Sequence, residues 1–209
     1  MARPRRFDEA ALLDAATELF WSKGFDDTSV EDVSAATGVG NGSIYAAYGS
    51  KQGLFLALFE RYCEGRADFV RAAVRRPGSA ASAVSGYFEA VIADCAAQPG
   101  RRGCLMINSM AQLGTRMPEV VAITRRATER MESGVAARIR AAVTGSAADA
   151  AEIDSEIDTE IDVEIDALAA HIVLVSQGLI QLSRLGVPTE RLHAIARTSC
   201  ANLPPYCAA

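Results

Sequence analysis

The side chains best equipped for chemistry in this chain are Cys63, Cys95, Cys104, Cys200 and Cys207, His171 and His193, and a dense run of carboxylates. The cysteines form no C-x-x-C pair and their number is odd, which fits free thiols better than a disulfide framework. Neither histidine stands in a metal-ligand spacing, so no zinc or iron site, and no other cofactor, is expected. A Ser/His/Asp set, a carboxylate pair in a glycine-rich context and a phosphate loop are all lacking, and an enzyme is not expected.

The carboxylates concentrate between Glu152 and Asp166, where eight acidic residues occur without a basic one. This segment, E-I-D-S-E-I-D-T-E-I-D-V-E-I-D, repeats every four residues. On a helix its isoleucines, at 153, 157, 161 and 165, would drift by about 40° per step and form a slanting ridge between carboxylates. Like charges at i, i+4 oppose that helix, so residues 152–166 are expected to be a loop between helices. Regular isoleucines and the lack of a glycine do not suit a loop that wraps calcium. The whole chain is −5, yet it would be +3 without these eight residues. Its acidity is local, and a nucleic-acid partner is not excluded.

One thiol is distinguished by its position. The segment R-R-G-C-L-M-I-N-S sets Cys104 directly after Gly103 at an expected helix start, with Arg101 and Arg102 beside it. Partial positive charge there would favour the thiolate; buried packing is the alternative role.

Hydrogen bonding to another macromolecule is the second chemistry on offer. Two short helices, about 29–36 and 41–48, are expected around a turn at Gly38-Val39-Gly40. Ser29 and Asp32 have capping-box spacing, and Asn41 can cap the second helix. A helix pair of this kind, the second member small and polar at its start, is the layout that enters a DNA major groove. An ordinary helical hairpin with a polar outer face has the same spacing. Asn41, Ser43 and Tyr45 can bond base edges or phosphates, while Gly42, Ala46 and Ala47 let the helix backbone come close. Residues 1–51 are nonetheless net −3, and three of their five cations, Arg3, Arg5 and Arg6, sit in the N-terminal arm. Affinity would rest on few, well-placed contacts, with the arm either entering an adjacent minor groove or trailing as a tail.

The elements that must position these groups are helical throughout. Half of the residues are hydrophobic, alanine is abundant and β-branched runs are scarce, which points to an all-α fold. Helices are expected near 7–22, 29–36, 41–48, 51–75, 79–97, 104–113, 117–144, 166–185 and 189–202, separated by glycine and proline punctuation. In 166–185, Leu168, Ile172, Val175, Leu179 and Leu182 share one face, and Leu174, Ile180 and Leu185 widen it. A face that wide needs cover from elsewhere in the chain or from a second copy. No apolar stretch is read as reaching the ~18 to 20 residues that span a bilayer. The basic N-terminus lacks the apolar core of a signal peptide. A cytoplasmic protein without a membrane partner is expected.

The run T-S-V-E-D-V-S-A-A-T-G-V-G-N-G-S-I-Y-A-A-Y-G-S-K-Q-G-L-F, preceded by G-F-D-D-T, closely resembles the N-terminal motif of the TetR family of transcription regulators. The likeness is strong over residues 6–66 and weak beyond. It implies a three-helix helix-turn-helix domain at 6–66, with its recognition helix at about 41–48. A helical regulatory and dimerisation domain would occupy 67–209. The resemblance implies that Thr28 contacts a phosphate, that Gly42, Ser43, Tyr45 and Ala46 face the groove, and that Tyr48 and Lys51 grip the DNA backbone. Many members carry His where this chain has Ala46 and Ala47, which leaves Ser43 and Tyr45 as the main base-reading candidates. A homodimer is implied, joined through 166–185 and 189–202, with His171 and His193 packed there, on a palindromic double-stranded operator. An apolar or amphipathic effector would bind near Tyr87, Phe88, Cys104, Met106, Met110 and Met117. The function so implied is a ligand-responsive repressor. The alternatives are a regulator sensing oxidants or electrophiles through Cys104, as some relatives with a similar G-C-L segment do, and an architectural DNA-binding protein without an inducer.

Overall fold

The computed structural model describes residues 7–146 and 155–208. Among these the chain forms nine α-helices and no strand. They are α1 (Glu9–Lys23), α2 (Val30–Thr37), α3 (Asn41–Tyr48), α4 (Lys51–Val74), α5 (Ala80–Ala97), α6 (Leu105–Leu113), α7 (Pro118–Ser146), α8 (Ser155–Arg184) and α9 (Thr189–Ala201). The all-α expectation holds.

Two compact units divide the chain, the first running to Gly65 and taking in Cys104–Arg125, the second comprising Arg66–Gly103 and Arg126–Ala209. In the first, Leu12, Ala16 and Phe20 of α1, Val30 and Val33 of α2, Ile44 of α3 and Leu54, Phe55 and Leu58 of α4 are buried together. Their apolar area is the main force holding the short helices in place, because helices this short are marginal alone. Phe55 anchors the cluster, with its ring 5.3 Å from that of Phe20 and 5.1 Å from that of Phe25, distances at which aromatic pairs attract. The α6 segment joins this unit through Tyr62, whose hydroxyl accepts the Leu105 N–H (3.2 Å) and donates to Cys104 Sγ (3.4 Å). Arg116 pairs with Asp26 at 2.5 Å. These contacts, 40 or more residues apart in sequence, go with the grouping of Cys104–Arg125 in the first unit, so the compact units do not coincide with the 6–66 and 67–209 that the resemblance implies.

In the second unit α5 packs against α8 and α9. Its buried Tyr87 hydroxyl donates to Ser176 Oγ at 2.8 Å, and Ser176 donates onward to the Val173 carbonyl at 2.7 Å. Two polar groups are thereby satisfied inside an apolar interface, which burial would otherwise penalise.

Two expectations are corrected here. The acidic repeat is not a loop: from 155 onward it forms the first turns of α8, while 152–154 lie outside the described residues. Ile165 is buried and Ile161 partly so, and they extend the stripe that continues through Ala169 and Ile172. Arg140 of α7 also bonds Asp162 and Asp166, at 2.7 Å each. Burial of the isoleucines and a guanidinium shared by two carboxylates outweigh the few tenths of a kcal/mol per pair that like charges cost. Secondly, Glu160–Arg184 is long and apolar enough to cross a membrane by length and composition, contrary to the sequence reading. Part of that apolarity is used in packing, since Ile165, Ile172, Val173, Leu179 and Ile180 are buried.

Candidate DNA-reading face

The reading helix is built by the corners around it. Thr28 is 1% exposed and its hydroxyl donates to the Gly24 carbonyl at 2.7 Å, tying down the end of α1. Ser29 then caps α2 in a full capping box, accepting the Asp32 N–H at 3.0 Å and donating its own N–H to the Asp32 carboxylate at 2.7 Å. The backbone and hydroxyl of Ser29, and then Lys23, hold the Asp32 carboxyl down at about 2. Gly38 stops α2 in the left-handed region (φ 70°), a conformation that costs glycine nothing. Gly40, rather than Asn41, occupies the cap of α3, and Asn41 becomes its first residue. Its amide leans 3.5 Å from the Glu31 carboxylate.

Only Ile44 of α3 is buried; Gly42, Ser43, Tyr45 and Ala46 are exposed, Tyr45 by 44%. The four positions implied to face a groove therefore share one bare surface. The other candidates are placed differently. Thr28 spends its hydroxyl inside, on the Gly24 carbonyl. Tyr48 donates to Glu9 at 3.2 Å. Lys51 donates to the Asp26 carbonyl at 3.1 Å and lies 4.6 Å above the Phe25 ring. Arg3, Arg5 and Arg6 lie outside the described residues.

Sequence reasoning missed Gly53. A Cβ there would sit 2.0 Å from the Tyr48 carbonyl oxygen, so only glycine lets the first turn of α4 close against the end of α3. A glycine in the first turn of a long helix, where it weakens the helix, was the available signal.

The six effector-site candidates are divided between the units. Tyr87 and Phe88 are buried in the second; in the first, Cys104, Met106 and Met117 are buried and Met110 is exposed. Cys104 sits at the N-cap of α6, 5% exposed, and burial first, then the neighbouring Cys104, pushes the Cys63 thiol well up. Two cavities in the second unit have other linings: one of about 400 Å³ among Glu129, Glu132, Arg140 and Asp166, and one of about 120 Å³ among Ile92, Cys95, Arg101 and Leu192.

Three helices, the third bare and set by glycine turns, define a helix-turn-helix protein. Residues 12–58 match the family described as "Bacterial regulatory proteins, tetR family". The HTH-type transcriptional regulator YezE of Bacillus subtilis (strain 168) is 30% identical over 132 residues, 63% of this chain and 68% of that protein. The HTH-type transcriptional repressor ComR of Escherichia coli (strain K12) is 39% identical over 113 residues, 53% of each protein. A cysteine mutant of the TetR family regulator CifR, complexed with 26-base-pair double-strand operator DNA, matches with a TM-score of 0.72 and 26% identity, covering 97% of this chain and 100% of that one. The chain belongs to the TetR family. It is a DNA-binding regulator of transcription.

Proposed function

We propose that two copies of this chain hold a palindromic operator through their α3 helices and repress transcription until an apolar or amphipathic small molecule releases them. The observation that carries this reading is the bare face of α3, in a family member resembling a regulator complexed with operator DNA. Ser43 and Tyr45 meet base edges in this reading. The Thr28 backbone, Tyr48 and Lys51 hold phosphates, the last two after exchanging their internal partners, and Arg3, Arg5 and Arg6 follow the neighbouring minor groove.

The second copy is supported by α8. Val163 and Leu174 are each 65% exposed, at helical spacing with the exposed His171 and Gly178 among them, and Leu185, just past the end of the helix, is 79% exposed. Large aliphatics repeated along one open face are the surface a two-fold partner covers. His193, partly buried on α9, flanks the same bundle in this reading. Effector release requires only that the small molecule bind the DNA-incompetent state better, and the protein acts in the cytoplasm, where the DNA is.

Selection from a random double-stranded library with the purified full chain, coupled to sedimentation, tests the proposal. A dimer enriching one palindrome, with half-sites about one helical turn or a multiple apart, is expected. A monomer at micromolar concentration, or broad coating without a discrete site, overturns it.

A further inference from the structure

We infer that the recognition helix reads its operator chiefly through thymine methyl groups, with Ala46 and the ring of Tyr45 as the reading surfaces, rather than through paired hydrogen bonds to purines. The inference rests on the operator reading above and names what that operator must present.

Its basis is the inventory of α3, N-G-S-I-Y-A-A-Y, which holds no Arg, Lys, Gln, Asp or Glu. The paired readouts of guanine by Arg or Lys, and of cytosine by a carboxylate, are therefore closed to it. Adenine could be read by Asn41 alone, yet its amide is directed 3.5 Å from Glu31 and its Oδ1 is buried. At the far end, Tyr48 and Lys51, bonded here to Glu9 and to the Asp26 carbonyl, go to phosphates rather than bases in the reading above. What remains exposed is the short hydroxyl of Ser43, the ring of Tyr45 with its single phenol, and the methyl of Ala46, and neither lone hydroxyl can make a paired readout. An alanine methyl or an aromatic ring against the thymine C5 methyl is the base contact these groups can make.

Such a contact works only if the helix comes very close, because alanine has no reach. Gly42 lies one turn before Ala46 on the same face, and a Cβ added there would meet nothing within 4 Å. The fold does not require that glycine, and glycine weakens a helix. Its absence of side chain serves a surface outside the chain. The net −3 charge of residues 1–51 fits the same picture, since little of the affinity can come from a broad basic patch.

The test uses the operator recovered by selection, resynthesised with dU in place of dT at each position in turn. That change removes only the C5 methyl. Each contacted methyl is expected to weaken binding about fourfold, as for the loss of one buried methylene-sized group, and about the square of that with both half-sites substituted. In Ala46→Gly or Tyr45→Ala the ratio of dT to dU affinity should fall toward one. The ratio is measured on one protein sample, so a partly unfolded variant does not distort it. Silent dU substitution throughout the site, or a ratio unchanged in both variants, overturns methyl reading while leaving operator binding intact. Failure to enrich any discrete site overturns the operator reading itself, and this inference with it.

Discussion

Two helices, α3 and α8, each bury one face and leave one bare, and what they leave bare differs in kind. The eight residues of α3 expose a glycine, an alanine methyl, the Ser43 hydroxyl and the Tyr45 ring with its phenol around a single buried isoleucine. The thirty residues of α8 expose Val163 and Leu174, with Leu185 exposed just past its end, while burying a stripe from Ile165 to Ile180. A bare aliphatic face gains free energy only when apolar surface covers it. A face of glycine, serine and alanine gains little that way and instead lets a backbone come near a polar groove. In the function proposed above, the contrast separates a surface for a second copy from one for DNA. It also separates how the two helices are held, one by corners and glycines, the other by its own length and the Tyr87–Ser176 bond.

Breaking the corner that holds α3 should have the largest effect. Gly53→Ala forces a Cβ to within 2.0 Å of the Tyr48 carbonyl. We expect operator affinity to fall beyond detection and melting to drop by an amount corresponding to about 1–3 kcal/mol or more, the usual range for overpacking. Wild-type binding by this variant would show that the end of α3 moves freely. Breaking the other surface comes next. Leu174→Glu should convert the dimer to a monomer in sedimentation while leaving the circular dichroism of the helices in place. An uncompensated buried charge costs about 3–5 kcal/mol, enough to weaken association by at least two orders of magnitude. An unchanged dimer would remove this face of α8 from the interface.

A smaller effect sharpens the account of the corner. Ser29→Ala removes the hydroxyl that caps α2 and should cost about 1 kcal/mol in melting experiments. The partner of that cap, Asp32, titrates at about 2 in the folded chain, below the ordinary value of about 4 for an unfolded aspartate. Because the folded value is the lower one, its contribution is fully present above pH 4 and disappears as the pH falls toward 2. The stability gap between wild type and Asp32→Asn should therefore be constant near neutrality and close over that acid window. A gap independent of pH would mean that the capping carboxylate is not what holds the corner.

Much of this was legible in the sequence, and the reason is that it was local. The capping box at Ser29 and Asp32, the turn at Gly38, and the helix pair around it all follow from residues close to one another in the chain. The acidic repeat was misread because its repulsion is local while its compensation is not. Arg140 lies 22 and 26 residues from Asp162 and Asp166, and the surface that buries Ile165 is tertiary. Family likeness names Thr28 for a phosphate, yet the direction of its hydroxyl, back to Gly24, depends on how α1 ends. Gly53 was passed over because its requirement is a carbonyl five residues back across a helix break. The division of Tyr87 and Phe88 from Met106 and Met117 was invisible for the same reason, since contacts of Tyr62 with Cys104 and Leu105, and of Arg116 with Asp26, draw the α6 segment into the first unit.

The most direct test of the claim that the bare face of α3 is the DNA-reading surface is Gly42→Ala, measured for melting temperature and operator affinity on the same sample. Among the described residues nothing beyond its own helix turn lies within 4 Å of the added methyl, so the fold should be unchanged or slightly more stable. Operator binding should weaken by about tenfold or more, the scale of 1.4 kcal/mol lost when a close approach is blocked. A variant that melts at or above the wild-type temperature and still binds the operator with full affinity would contradict the account.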